Sequence, residues 1–276
     1  MLRFIGKRLI MSLGVLWAAS VLVFIMVANS GDPLFDLKMN PLTPESSILY
    51  REHLLHLDKS IPERYWIWFS GVLHGDFGKT LHGAEVGPQL FTHMAVTMKM
   101  VIPALLLAIV IAISLGVFSA TRRGKWQDKG ITFTSFLFLA TPVFVVGLFL
   151  KFFVAIPIDQ HFNKVILSTA GDSSPTATGG FFERIPDMLS HMTLPTMTLV
   201  LAVFSSWVIY QRSTVLDTMD QDYVMLARSK GISKRRVLVR HILRNALIPV
   251  TTVIALDFAG LLGGAVITET VYSWNG

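Results

Sequence analysis

The chain has 276 residues, 52% of them hydrophobic and 15% charged, with a net charge of +6 and a mean hydropathy of +0.57. Soluble domains carry about 25% charged residues. The composition therefore points to an integral membrane protein and away from a soluble domain. Nucleic-acid binding is not needed to explain the positive charge, because the basic residues lie beside apolar runs. The chain contains no cysteine, which excludes disulfides, thiolate metal sites and a cysteine nucleophile.

A membrane helix needs about 20 mostly apolar residues. The first such run covers residues 9–28, behind Arg3, Lys7 and Arg8. Those cations would also suit a signal peptide, but a signal's apolar stretch is about 7–15 residues. The longer run reads as a retained span. The second run covers 96–120 and contains Pro103, which neighbouring helices accommodate. The third covers 131–157, interrupted at Pro142; the fourth covers 192–210 and the fifth 247–271.

The segment 29–95 between the first two runs is long for a simple connection. Thr43-Pro44-Glu45 reads as a helix start with Thr43 as the cap, and Ser60-Ile61-Pro62-Glu63 as a second. The second leads into Tyr65, Trp66, Trp68 and Phe69, rings that favour a membrane interface, so this helix is expected along the outer surface or against the spans. Gly75-Asp76-Phe77-Gly78 permits a tight turn. His53 and His56 have the spacing of a helical ligand pair but lack a third ligand. A second loop, 158–191, carries Gly171-Asp172-Ser173-Ser174-Pro175 and Gly179-Gly180, which is flexible turn chemistry.

Basic residues set the orientation. They cluster before the first span, between the second and third (Arg122, Arg123, Lys125, Lys129), and between the fourth and fifth (Arg212, Arg228, Lys230, Lys234, Arg235, Arg236, Arg240, Arg244). These regions alternate and are expected to face the cytoplasm, with a cytoplasmic N-terminus. Five spans then put the end of the chain outside, and a sixth span is expected after Gly276, the alternative being a five-span protein. The expected division is residues 1–95, a span with a long external segment, and residues 96–276, a core with a cytoplasmic loop at about 211–247.

That loop carries the most specific pattern in the chain. Asp220 and Asp222 stand where a short helix begins, and Arg228 and Lys230 where it ends, both suiting the helix dipole. Gly231 supplies a left-handed stop, and Ser233 a cap for the next helix. Tyr223, Leu226 and Ala227 share one face by three-and-four spacing, which a groove in a partner protein could bury. In the next helix Arg236, Arg240 and Arg244 form one row, opposite Leu238, Val239, Ile242 and Ala246. Topology and contact with anionic headgroups would explain the arginines singly; the ordered series reads as a docking element.

On Asp222-Tyr223, Ala227-Arg228-Ser229-Lys230-Gly231, Arg240-His241 and Arg244-Asn245-Ala246-Leu247-Ile248-Pro249 the sequence resembles the inner-membrane permease subunits of binding-protein-dependent ABC importers, oligopeptide/dipeptide/nickel subclass. Gly75-Asp76-Phe77-Gly78, 260–266 (Gly-Leu-Leu-Gly-Gly-Ala-Val) and Glu269-Thr270 add to the likeness, which covers essentially the whole chain. Met225, Leu226 and Ala227 stand where the broad permease motif has Glu-Ala-Ala. The resemblance implies an all-α, polytopic bundle of the type I ABC importer kind. It implies a second homologous permease subunit, two ATP-binding subunits or a fused ATPase, and an external substrate-binding protein. Asp222, Tyr223, Leu226, Ala227, Arg228, Lys230 and Gly231 would couple to the ATPase. The implied cargo is a peptide, with nickel chelates, haem, sugars or another small solute as alternatives.

The chain has no phosphate loop of the Gly-x-x-x-x-Gly-Lys-Ser/Thr type, so ATP hydrolysis is expected in a partner and no enzymatic activity or cofactor in this chain. Asp257 lies within the fifth apolar run, where an acid is costly unless it faces a bundle interior or water. It is a candidate for the translocation pathway or for hydrogen-bonded packing; Glu269, further along, is a candidate for the pathway mouth. Gly260 and Gly264 form a small-x-x-x-small pair suited to close packing at a helix interface, within the chain or between two permease subunits. Two other classes compete. An ion-coupled secondary transporter would need broken-helix sites in repeated halves, which are not evident. An intramembrane enzyme would have to be built on His191 and Asp257, without a nucleophile motif.

Overall fold

A computed structural model describes residues 2–174 and 180–275; Pro175, Gly179 and Gly276, used above, lie outside the described residues. Helices account for almost all regular structure, and among the described residues there is no strand beyond an isolated bridge between Lys79 and Glu85. Five helical stretches are long and apolar enough to cross a membrane: Arg3–Ala28, Val86–Thr121, Val143–Phe162, Arg184–Met219 and Lys234–Tyr272. Leu106, Val110, Phe153, Leu256 and Val266 are each more than half exposed, an apolar exterior that suits lipid and not water.

The chain divides between Thr92 and His93 into two compact units. In the first, α1 (Leu2–Ala28) is followed by three short helices, α2 (Phe35–Met39), α3 (Glu45–Leu54) and α4 (Ile61–Leu73). The second helix start falls where expected: Glu63 accepts from the Ser60 N–H at 3.1 Å, completing a capping box with Pro62 in the first turn. The first is one residue late, because Pro44 takes the cap position and Thr43 does not. The aromatic face of α4 packs on α1, with the Phe24 ring edge-on to Tyr65 at 5.4 Å and Ser20 Oγ 2.9 Å from Tyr65 Oη. In the 75–78 turn both glycines have positive φ, and Asp76 Oδ1 accepts from the Gly78 N–H at 2.8 Å. His56 has φ +54° and lies beyond the end of α3, so it shares no helix face with His53.

The second unit is a bundle built on α9 (Phe181–Met219), packed against α5 (Val86–Thr121), α6 (Trp126–Ala140), α7 (Val143–Phe149) and α12 (Arg244–Tyr272). The third passage breaks after Ala140: Thr141 and Pro142 are extended, since Pro142 has no N–H to give and disfavours a helical residue before it. It is nonetheless one passage. Asp128 meets Arg212, Phe138 meets Phe204, Gly147 faces Thr198 and Ala155 clusters with Leu194. The partners on α9 thus fall in reverse order along a single antiparallel line. Beyond α7 the chain forms a π-helical stretch, Leu150–Ala155, and then α8 (Ile156–Phe162). The widening accompanies Pro157, whose ring would clash with the carbonyl four residues back in a regular helix.

Close approach in this bundle occurs at Gly116 and Gly147. A Cβ on Gly116 would lie 2.7 Å from Gln211 Cβ, and one on Gly147 3.2 Å from Val271 Cγ1. Gly260 has open space where a Cβ would stand, so it does not serve helix packing within the chain.

Candidate functional site: the elbow between α9 and α12

Two short helices follow α9: α10 (Asp222–Ser229) and α11 (Lys234–Arg236). The stop between them has a full physical account. Gly231 has φ +74°, its N–H bonds the Arg228 carbonyl at 3.0 Å, and the Ile232 N–H reaches the Ala227 carbonyl at 3.4 Å. Those two bonds form a Schellman motif, which needs a residue tolerant of the left-handed region where glycine stands. Asp222 lies in the first turn of α10 and Arg228 in its last, with Lys230 at the C-cap. Ser233 occupies the next cap position, but its hydroxyl makes no capping bond.

The elbow is anchored to the bundle. Val224 is fully buried and Ala227 nearly so, in a cluster with Ala120 of α5, Val215 of α9, and Val237, Ile242 and Ala246. Burying a valine side chain stabilises by about 2 kcal/mol. This corrects the expected docking face. Ala227 points into the chain's own core, while Tyr223, Met225 and Leu226 are 40%, 52% and 56% exposed. The free apolar side chains are therefore Tyr223 and Leu226 on one face and Met225 across Asp222.

The segment Val237–Leu243 is π-helical, and this changes the second stripe. Val237 and Ile242, five apart, share the buried side with Ala246, whereas Val239 is exposed. An expected four-residue spacing misplaces Val239, because a π turn inserts one residue into the repeat. Arg236, Arg240 and Arg244 remain exposed. From α12, Asn245 Nδ2 donates to Tyr223 Oη at 2.8 Å, tying the free face of α10 to the start of the last passage.

A second tie holds the neighbouring turn. Arg212 on α9 makes a two-pronged contact with Asp128, Nε to Oδ1 at 2.6 Å and Nη2 to Oδ2 at 2.9 Å. Asp128 also accepts from Ser119 Oγ and the Gly124 N–H, and is 3% exposed. The Arg212 guanidinium, with the Ser119 and Gly124 donors, holds this carboxyl well below the usual carboxylate range. Sequence reasoning counted Arg212 only as a topological charge and passed over Asp128; the available signal was one acid amid the four cations of the 122–129 turn.

The intramembrane acids fall elsewhere. Trp207, fully buried on α9, donates its indole N–H to Asp257 Oδ2 at 2.7 Å, and Asp257 itself is half-buried. Glu269 is 9% exposed and accepts from Thr97 Oγ1 at 2.6 Å. It occupies the packed seam between α5 and α12 and not an open mouth, which corrects its expected placement. His191 is buried under the loop that carries Gly171 and Ser174, with Nδ1 2.9 Å from the Gly171 carbonyl and Nε2 3.1 Å from Ser174 Oγ. The Asp187 carboxylate approaches that same Nε2 at 3.5 Å, so no acid–imidazole–hydroxyl relay exists there. Asp257 meets α9 sixteen residues further on, about 24 Å along the helix, so the two do not form one site.

The fold and site define a polytopic α-helical membrane protein with an amphipathic elbow between its last two passages. Residues 112–276 match the family described as binding-protein-dependent transport system inner membrane component, and the match takes in the elbow and most of the bundle. Over 277 residues the chain is 35% identical to the oligopeptide transport system permease protein OppB of Mycobacterium tuberculosis strain H37Rv, covering all of this chain and 85% of that protein. It is 34% identical over 282 residues to the oligopeptide transport system permease protein AppB of Bacillus subtilis strain 168, with the same coverage. It is 30% identical over 278 residues to the glutathione transport system permease protein GsiC of Salmonella choleraesuis, covering 84% of that protein. The chain belongs to the family of inner-membrane components of binding-protein-dependent transport systems, and is a multi-pass inner-membrane protein.

Proposed function

We propose that this chain is a permease subunit of an ATP-driven peptide importer, with its N-terminus in the cytoplasm, and that it supplies half of the translocation pathway. A second homologous subunit supplies the other half, and an external binding protein delivers the cargo. Peptide cargo is favoured by the similarity to proteins named for oligopeptide and glutathione transport. ATP hydrolysis belongs to partner subunits, because the sequence has no phosphate loop.

The observation that carries this reading is the two-faced elbow. Val224 and Ala227 fix α10 to the bundle, leaving Tyr223 and Leu226 as an exposed apolar face, with Met225 exposed across Asp222 and with Arg228, Lys230 and the turn at Gly231 at the helix end. That arrangement suits a helix laid in a partner's groove. A push on α10 then travels two ways: through the shared cluster to α5 and α9, and through Tyr223–Asn245 to α12. Asp257 lies twelve residues, or about 18 Å, along α12 from Asn245. It is the pathway residue of this proposal, with one oxygen held by Trp207. Glu269 acts at the outer end as a packing group that positions α12 on α5.

The test is copurification. Leu226→Asp places a charge on the free face without touching the buried anchor, and it is expected to lower recovery of the ATP-hydrolysing partner by about tenfold, equivalent to about 1.4 kcal/mol. Undiminished recovery would remove the docking reading.

A further inference from the structure

Beside the elbow a cavity of about 800 Å³ opens between the end of α5, the end of α9 and the segment 228–242. Its floor is apolar, formed by Ala120, Met219, Val237 and Leu238, and its rim carries Arg228, Lys234 and Arg235. No carboxylate among the described residues lines it. Ala120 and Thr121 are the last residues of the apolar helix Val86–Thr121, so the cavity opens at the level where hydrocarbon gives way to headgroups. Three cations above an apolar floor, at that depth, match an anionic amphiphile. A soluble anion would leave the floor uncovered, and an acidic protein segment would bring few apolar groups to it.

We propose that this cavity is a binding site for an anionic phospholipid. Its phosphodiester engages Arg228, Lys234 and Arg235, and the upper part of an acyl chain lies on Met219, Val237 and Leu238. The lipid then bridges the end of α5 and the turn at Gly231, so that its presence stiffens the elbow against the bundle. The proposal rests on the part of the functional reading that places the elbow at a membrane surface, and it does not require the ATPase.

Native mass spectrometry of the full chain, extracted in mild detergent from membranes containing phosphatidylglycerol and phosphatidylethanolamine, tests it. One phosphatidylglycerol is expected to remain bound in preference to phosphatidylethanolamine. Arg228→Gln/Lys234→Gln/Arg235→Gln is expected to lower retention roughly tenfold or more, since each cation near an anionic headgroup is worth roughly a factor of five. Leu238→Trp, which fills the cavity and keeps every cation, is expected to lower it as well. Arg236→Gln/Arg240→Gln/Arg244→Gln removes equal charge from the exposed row and is expected to leave retention unchanged. Retention by Leu238→Trp, equal loss in the exposed-row variant, competition by soluble glycerol phosphate as strong as by the lipid, or displacement of the lipid by a copurifying protein would each overturn the proposal. Leu226→Asp separates the two readings: loss of the ATPase partner with the lipid retained defeats neither, whereas loss of the lipid in that variant contradicts an independent site.

Discussion

Asp128 and Arg212 form a two-pronged ion pair in the bundle, at the turn between α5 and α6. The carboxylate is nearly buried and has four donors directed at it: two guanidinium N–H groups, a hydroxyl and a backbone N–H. Removing one partner of such a pair leaves the other poorly compensated. Asp128→Asn is expected to lower stability by about 2 kcal/mol, read as thermal unfolding in detergent. The sign of the pH dependence follows from the depressed carboxyl. Its ionised form binds more favourably in the folded chain, so the stabilisation is fully present above the unfolded value of about 4. It is lost as pH falls below that value toward the folded one. The gap between wild type and Asp128→Asn should therefore stay constant from pH 8 to 5 and close below 4; a gap unchanged at pH 3 would contradict the assignment. Asp257 calls for a different substitution logic. Asn at that position keeps an oxygen for the Trp207 indole but removes the charge. Asp257→Asn in the assembled importer is thus expected to fold normally and to lower peptide uptake by about tenfold, and unchanged uptake would leave Asp257 as a packing residue only.

At the scale of elements, hydropathy located all five apolar passages, and the capping signals at Ser60–Glu63 and Gly231 translated directly into local geometry. These are short-range effects in which a residue's own chemistry decides its conformation. The features that escaped depend on what lies opposite. Ala227 was read as part of an outward face, but its small side chain suits the close contact with the bundle that it makes in the shared cluster. Regular helical spacing puts Val239 in one apolar stripe with Ile242 and Ala246; the π turn at Val237–Leu243, which has no comparable sequence mark, turns Val239 away from the buried pair and leaves it exposed. Gly260, half of a small-x-x-x-small motif, has open space within the chain, whereas close helix contacts fall at Gly116 and Gly147. A motif states that a helix can approach a neighbour, not which neighbour is there.

At the scale of the whole molecule, the exposed apolar surface is accounted for by lipid, and the bundle by passages packed on α9, the third passage and α12 antiparallel to it and α5 parallel. The elbow remains as the one docking face for which a protein partner is proposed. Its helix–turn–helix form was legible because acids, apolar face, glycine and basic row are contiguous in sequence. Which apolar residues stay free was not, because that depends on α5 and α9. The absence of cysteine allows a direct test, since Leu226→Cys and Val224→Cys each introduce a single thiol. The account predicts that Leu226→Cys reacts with a membrane-impermeant maleimide from the cytoplasmic side when the ATP-hydrolysing subunit is absent. In the assembled importer it should be protected and cross-link to that subunit, while the buried Val224→Cys does neither. Labelling of Leu226→Cys only from the outer side, or equal labelling with and without the subunit, would contradict it.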